Sequence, residues 1–266
     1  MEHARAVPGT AANRNLLAAL WRAADHWPER MAAHWRDPSG AAQRSLTWRE
    51  LEDRVVAVAA GLMAGGVLPG DRIGVMVRPC VDWTVLDLAV LAAGAATVPM
   101  PPGQGVAACH RALRGTAPRM VFVEGPDDAM TVARATGGAA DPPQEMFVLR
   151  EGGLRVLTSW AEPVDRRAVR PYAERVATSA VALFDRGATP ATHGPARPMT
   201  HAEVGRAALR LGVLLGVSGR GRTPGPAVTV GPLHRLLPHL MQFAALEAGR
   251  SLAFSGRARR DPAALG

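Results

Sequence analysis

Residues Ile73–Val98 read IGVMVRPCVDWTVLDLAVLAAGAATV, and their reading decides the fold. Ile73 to Val77 is a short apolar run entered from the turn Pro69-Gly70-Asp71. Val81 to Ala93 reads as a helix, and Ala96 to Val98 as a second short strand closed by Pro99. The alternation continues downstream. Val106 to Arg114 reads as a helix, Met120 to Val123 as a strand, Asp127 to Ala135 as a helix and Glu145 to Leu149 as extended chain. Strands with few polar residues that alternate with amphipathic helices imply a parallel sheet covered on both faces. The expected fold class is therefore α/β, a parallel sheet flanked by helices.

Upstream, Leu16 to Trp27 carries apolar residues at helical spacing and ends near Pro28. Met31 to Arg36 and Arg44 to Leu46 flank the turn signal Asp37-Pro38-Ser39-Gly40, which predicts a β-hairpin. Thr47-Trp48-Arg49-Glu50 is a capping box for a helix with Leu51, Val55, Val58, Ala59 and Leu62 on one face, closing at Gly65-Gly66. Further on, Ala180 to Phe184 reads as a strand, Asp185 to Pro198 as a long loop, and Thr200-His201-Ala202-Glu203 as a second capping box. Ala227 to Val230 and Leu252 to Phe254 read as strands around a helix from Leu236 to Ala248. Arg155 to Arg175 is charged and poor in apolar periodicity, so a seam is expected there. The division it implies is a first α/β unit over residues 1–165, an incomplete second one over 176–254, and a patternless tail over 255–266.

The chain has 266 residues, enough to bury a core. Its 31 basic residues are all arginine, and its formal charge is +8. The arginines are dispersed, with tight groups only at Arg166–Arg167 and Arg257–Arg259–Arg260, so no nucleic-acid partner is expected. Two cysteines make no disulfide framework, residues 1–10 contain no apolar leader, and Asp87 and Gly94 interrupt the longest apolar stretch. A cytoplasmic protein without a transmembrane segment is the expectation. Chemistry that needs a lysine is excluded within this sequence.

From Thr47 to Glu124 the sequence resembles a known family. Leu46-Thr47-Trp48-Arg49-Glu50-Leu51, Ala60-Gly61-Leu62, Gly66-Val67, Pro69-Gly70-Asp71-Arg72-Ile73-Gly74-Val75 and Ala92-Ala93-Gly94-Ala95 look like the N-terminal region of AMP-forming acyl-CoA synthetases. These belong to the adenylate-forming superfamily, with luciferases and peptide-synthetase adenylation domains. Gly231-Pro232-Leu233-His234, with the helix that follows, is similar to a block of the long-chain fatty-acid branch, one residue short. The resemblance implies a carboxylate attacking the α-phosphate of Mg-ATP, then displacement of AMP by the CoA thiol. ATP, Mg²⁺ and CoA are thus cofactors by resemblance only. It also implies that His234 lines an acyl pocket.

The family cradles its polyphosphate in a loop of the form Thr-Ser-Gly-Thr-Thr-Gly-x-Pro-Lys-Gly, placed after a strand and before a Thr-His helix. Here the corresponding segment runs from Asp185 to Arg197. Gly187, Thr189, Thr192, Gly194 and Arg197 are its candidate phosphate-binding residues. Its chemistry has changed. Asp185 and Arg186 replace small residues, Pro190 and Pro195 remove N–H donors, and Arg197 is the only cation near the place of the lost lysine. The family's later Tyr-Gly-x-Thr-Glu and Thr-Gly-Asp blocks and its C-terminal lysine domain have no counterpart, so a truncated N-terminal domain is expected. No catalytic or metal-binding residue is assigned.

Other constellations carry less. His234 and His239 flank Pro238 at a spacing unsuited to one helix face, Cys109 and His110 are helix neighbours that do not face each other, and Asp82 and Asp87 are expected on a solvated face. Ending the sheet at Leu252–Phe254 is expected to expose a strand edge for self-association, or for docking on a complete acyl-CoA synthetase or an acyl carrier. One half of a split ligase is a further reading.

Overall fold

The computed structural model describes residues 15–36, 42–139, 142–162, 164–185, 196–217 and 227–254. The turn expected at Asp37–Gly40, most of the loop after Asp185, the stretch 218–226 and the tail lie outside the described residues.

Ten strands and nine α-helices are described. The chain begins with α1 (Ala18–His26) and the antiparallel hairpin β1 (Met31–Arg36) and β2 (Gln43–Thr47). The first βα run follows: α2 (Trp48–Ala64), β3 (Arg72–Met76), α3 (Val81–Ala92), β4 (Ala96–Pro99), α4 (Val106–Thr116), β5 (Met120–Val123), α5 (Pro126–Thr136) and β6 (Glu145–Val148). Next come α6 (Gly153–Ser159), α7 (Arg166–Glu174), β7 (Val181–Asp185), β8 (Arg197–Thr200) and α8 (His201–Leu214). Last are β9 (Val228–Thr229), α9 (Leu236–Glu247) and β10 (Leu252–Phe254).

These strands form two sheets. One has the order β6-β5-β3-β4-β7-β8 and is parallel except for the β7–β8 hairpin; the other has the order β2-β1-β10-β9, with only β1–β2 antiparallel. The sheets do not divide at the expected seam. β7 and β8 complete the sheet begun by β3–β6, while the N-terminal hairpin pairs with β10 (Ala33 beside Leu252, Trp35 beside Phe254). The physical reason is that each sheet finishes its hydrogen bonding with strands far away in sequence. For the same reason β10 is an interior strand, flanked by β1 and β9, and not the open edge expected.

Helix α3 lies at the centre. Eleven of its twelve residues are buried, as befits a helix apolar nearly all round, and it touches β4 of one sheet and β1 of the other. Met76, Val98, Leu113, Val121, Val123 and Val132 form a smaller core under α4 and α5, so the larger sheet is covered on both faces. At Gly61 the α2 backbone meets α6 so closely that a Cβ would collide with the Leu157 carbonyl. Both capping boxes form: the Glu50 N–H donates to Thr47 Oγ1 at 3.2 Å while the Thr47 N–H donates to Glu50 Oε2 at 2.7 Å.

The stretch expected to be a seam is instead helical. Arg170 on α7 donates to Asp25 (2.6 Å), Glu52 (3.0 Å) and Glu174 (3.1 Å), and its guanidinium lies 5.4 Å from the Trp21 ring centroid. The charges there are used to seat α7 on α1 and α2. Its low apolar content therefore hides a packed helix.

Candidate phosphate-loop site

Strand β7 runs parallel to β4, with Thr97 beside Leu183, so the segment following Asp185 leaves from the carboxyl edge of the large sheet. That edge is where open α/β sheets hold ligands. The chain returns as β8, registered Val181 to Thr200, Leu183 to Met199, Phe184 to Pro198 and Asp185 to Arg197. The long loop expected from Asp185 to Pro198 is thus shorter than predicted, because its last residues pair as a strand. Gly187, Thr189, Thr192 and Gly194 lie outside the described residues.

Arg197 is described, and its surroundings are informative. Its side chain is 66% exposed, and Nη2 donates to Glu203 Oε1 at 3.3 Å. Glu203 is also the reciprocal cap of α8: it accepts the Thr200 N–H at 2.9 Å, and its own N–H donates to Thr200 Oγ1 at 3.2 Å. Those Thr200 bonds, helped by Arg197, hold the Glu203 carboxyl below its ordinary range. Over 181–185 and 196–203 the charged side chains are Asp185, Arg197 and Glu203, with His201 neutral. Among the described residues, these two flanks are therefore net anionic. Binding a magnesium triphosphate requires cationic and N–H donors turned toward it, and among the described flanking residues Arg197 is the one cation, turned to Glu203.

The histidine of the Thr-His pair faces the core. His201 is buried and its Nδ1 accepts the Leu16 N–H at 3.3 Å, which ties α8 to the start of α1. Burial pushes its pKa down to about 4, with the Asp87 carboxylate acting in the opposite direction. His234 sits between β9 and α9, half-buried, with Nδ1 shielded and without a hydrogen-bond partner; burial and the adjoining Arg235 lower its pKa. No described hydrogen bond joins it to Arg197, and the two residues follow different sheets.

The main departure from expectation is Asp87. It is 1% exposed, not solvated. Oδ1 accepts from Thr97 Oγ1 at 2.7 Å, and Oδ2 accepts from Gln242 Nε2 and His239 Nε2, each at 2.9 Å. Gln242 Oε1 accepts from Thr84 Oγ1 at 2.6 Å, while the His239 ring stacks on Phe243 and meets the Trp83 edge at 4.9 Å. One carboxylate thereby joins α3, β4 and α9 across the space between the sheets. The signal was in the sequence: an acid in a helix apolar on all sides is buried and must be partnered. Asp82, at the start of α3, is half-buried as well, and burial raises its pKa.

The sequence profile of the AMP-binding enzyme family matches residues 20–183, more than half of the chain. The chain belongs to this family. Its relatives include phenyloxazoline synthase MbtB of Mycobacterium sp. (strain MCS), 31% identical over 141 residues that make up 47% of this chain and 12% of that protein. The long-chain-fatty-acid--CoA ligase FadD15 of Mycobacterium tuberculosis is 32% identical over 92 residues, 35% of this chain and 15% of that one. Among solved structures, the long-chain-fatty-acid-CoA ligase FadD1 from Archaeoglobus fulgidus superposes with a TM-score of 0.75 at 18% identity, over 91% of this chain and 47% of that chain. The fold implied by the resemblance is thus the fold observed, one that superposes on about half of that ligase. The matches cover at most about half of the solved ligase and a small fraction of the curated relatives. Among the described residues, no helix is long and apolar enough to cross a membrane.

Proposed function

We propose that these 266 residues are a degenerate acyl-CoA-synthetase-like unit that does not form acyl-adenylates by itself. The observation that carries this reading is the charge at the phosphate-loop mouth. Among the described residues of the mouth the one cation, Arg197, is engaged by Glu203, Asp185 stands opposite it in the hairpin register, and no lysine exists in the sequence to supply an ammonium. Losing one oriented oxyanion donor raises a barrier by about 2.7–4 kcal/mol, and this loop departs from the family pattern at several positions. The family blocks that are retained, Thr47–Leu51 and Pro69–Val75, cap α2 and lead into β3; they build the scaffold. Cytoplasmic residence and a link to fatty-acid metabolism belong to the same proposal. Incubation of the pure chain with Mg-ATP, labelled pyrophosphate and a panel of fatty acids tests it. Exchange into ATP at the blank rate is expected, and fatty-acid-dependent exchange refutes it.

A second reading, a non-catalytic partner of a complete synthetase or an acyl carrier, is favoured by one observation. Val213, Leu214 and Leu215 at the end of α8 are 70%, 80% and 56% exposed, and Leu237 on α9 is 59% exposed. Such apolar exposure is a feature of interaction surfaces. Co-elution with a complete synthetase that is lost in Leu214→Ser supports this reading, and a monomer unaffected by that partner removes it.

A further inference from the structure

The amino edge of the six-stranded sheet, opposite the edge at which β7 ends, holds a polar cavity of about 160 Å³. It is lined by Asp71, Arg72, Ala117, Pro118, Arg119, Pro142 and Gln144. These residues converge because Arg72 opens β3, Arg119 leads into β5 and Gln144 leads into β6, three adjacent strands. Their backbones are fixed to one another: the Arg119 N–H donates to the Arg72 carbonyl, and the Gln144 N–H to the Arg119 carbonyl, both at 2.7 Å. At about 30 Å³ per water, the space admits several waters or one small polyatomic ion.

The donors are in surplus. Arg72 spends Nε and Nη2 on one acceptor, the Ala117 carbonyl, at 3.3 Å each. Arg119 Nε is shielded from solvent with no hydrogen-bond partner, since Asp71 Oδ2 lies 3.7 Å away and already accepts the Leu68 N–H at 2.9 Å. Among the described residues, two guanidiniums thus line the wall against one carboxylate. Both guanidiniums belong to permanent cations, and a planar fork suits two oxygens of a single anion.

We infer that this cavity is a binding site for a phosphate-class oxyanion, separate from the described flanks of the phosphate loop, held by the Arg72 and Arg119 guanidiniums with Gln144 beside them. The chemistry is shared by free phosphate and by the phosphate of a nucleotide. Asp71 opposes the anion and keeps the affinity low.

Calorimetric titration of the whole chain with inorganic phosphate, and separately with AMP, at ionic strength held constant with sodium chloride, tests the inference. Saturable binding of phosphate is expected. Arg119→Gln weakens it about tenfold, the loss of one charge-assisted hydrogen bond, with an unchanged melting temperature in the absence of phosphate. Asp71→Asn, which keeps an acceptor for Leu68, strengthens it. Arg197→Gln leaves it unchanged. If AMP also binds and Arg119→Gln weakens it equally, a nucleotide is one source of the phosphate; if AMP does not bind, free phosphate is the source. Absence of saturable phosphate binding, equal affinity in wild type and Arg119→Gln, or loss of binding in Arg197→Gln overturns the inference. Should Arg119→Gln fail to fold, a failure of Asp71→Asn to strengthen binding does so equally.

Discussion

His201 allows a pH measurement with a definite sign. In the unfolded chain its imidazole has the ordinary value of 6.5, and in the folded protein burial pushes it down to about 4. Below 6.5 the unfolded chain takes up a proton that the folded protein refuses, so stability falls as pH drops from 6.5 toward 4. At pH 5 that difference amounts to about 2 kcal/mol relative to pH 8. The variant His201→Asn removes the titration while an amide oxygen can still accept the Leu16 N–H that now bonds to Nδ1. Urea unfolding of both proteins at pH 8 and pH 5 isolates the effect. His234, also lowered by burial, and Glu52, Asp82 and Asp128, raised by it, are common to both and cancel in the comparison. Wild type should lose about 2 kcal/mol more than His201→Asn on going to pH 5. Equal losses would show that His201 is accessible to protons in the folded state, and would refute the inward orientation argued for the start of α8.

Asp87→Ala leaves the Thr97, Gln242 and His239 donors without an acceptor in the space between the sheets, and should cost about 3 kcal/mol or more in urea unfolding. Gly61→Ala forces α2 away from the Leu157 carbonyl; a loss of about 1–3 kcal/mol is expected despite the better helix propensity of alanine, and a neutral result would contradict the close approach. Thr47→Ala removes one capping box and should lower stability by about 1 kcal/mol in the same assay.

What could be read from the sequence was set by local chemistry. The apolar runs at Ile73, Ala96 and Met120 became β3, β4 and β5, and both Thr-x-x-Glu boxes capped their helices, because each signal lies within a few residues of its effect. What was missed depends on distant partners. β8 is a strand only through its register with β7, and β10 is interior only because the hairpin at Met31 returns to it. Helix α7 looked like a seam because its arginines gave no periodicity, yet Arg170 finds Asp25 and Glu52 more than a hundred residues away. Asp87 was misplaced by the default that acids face water. The candidate site was legible in position, strand behind and capped helix ahead, and in composition. Its charge balance needed the structure, which shows Arg197 drawn to the capping glutamate.

The proposed inertness requires that the mouth of this loop does not hold an adenylate. Titration of the pure chain with a non-hydrolysable acyl-AMP analogue, followed by calorimetry, tests it most directly. No heat assignable to a site that Arg197→Gln alters is expected. Stoichiometric, tight binding that Arg197→Gln abolishes would contradict it.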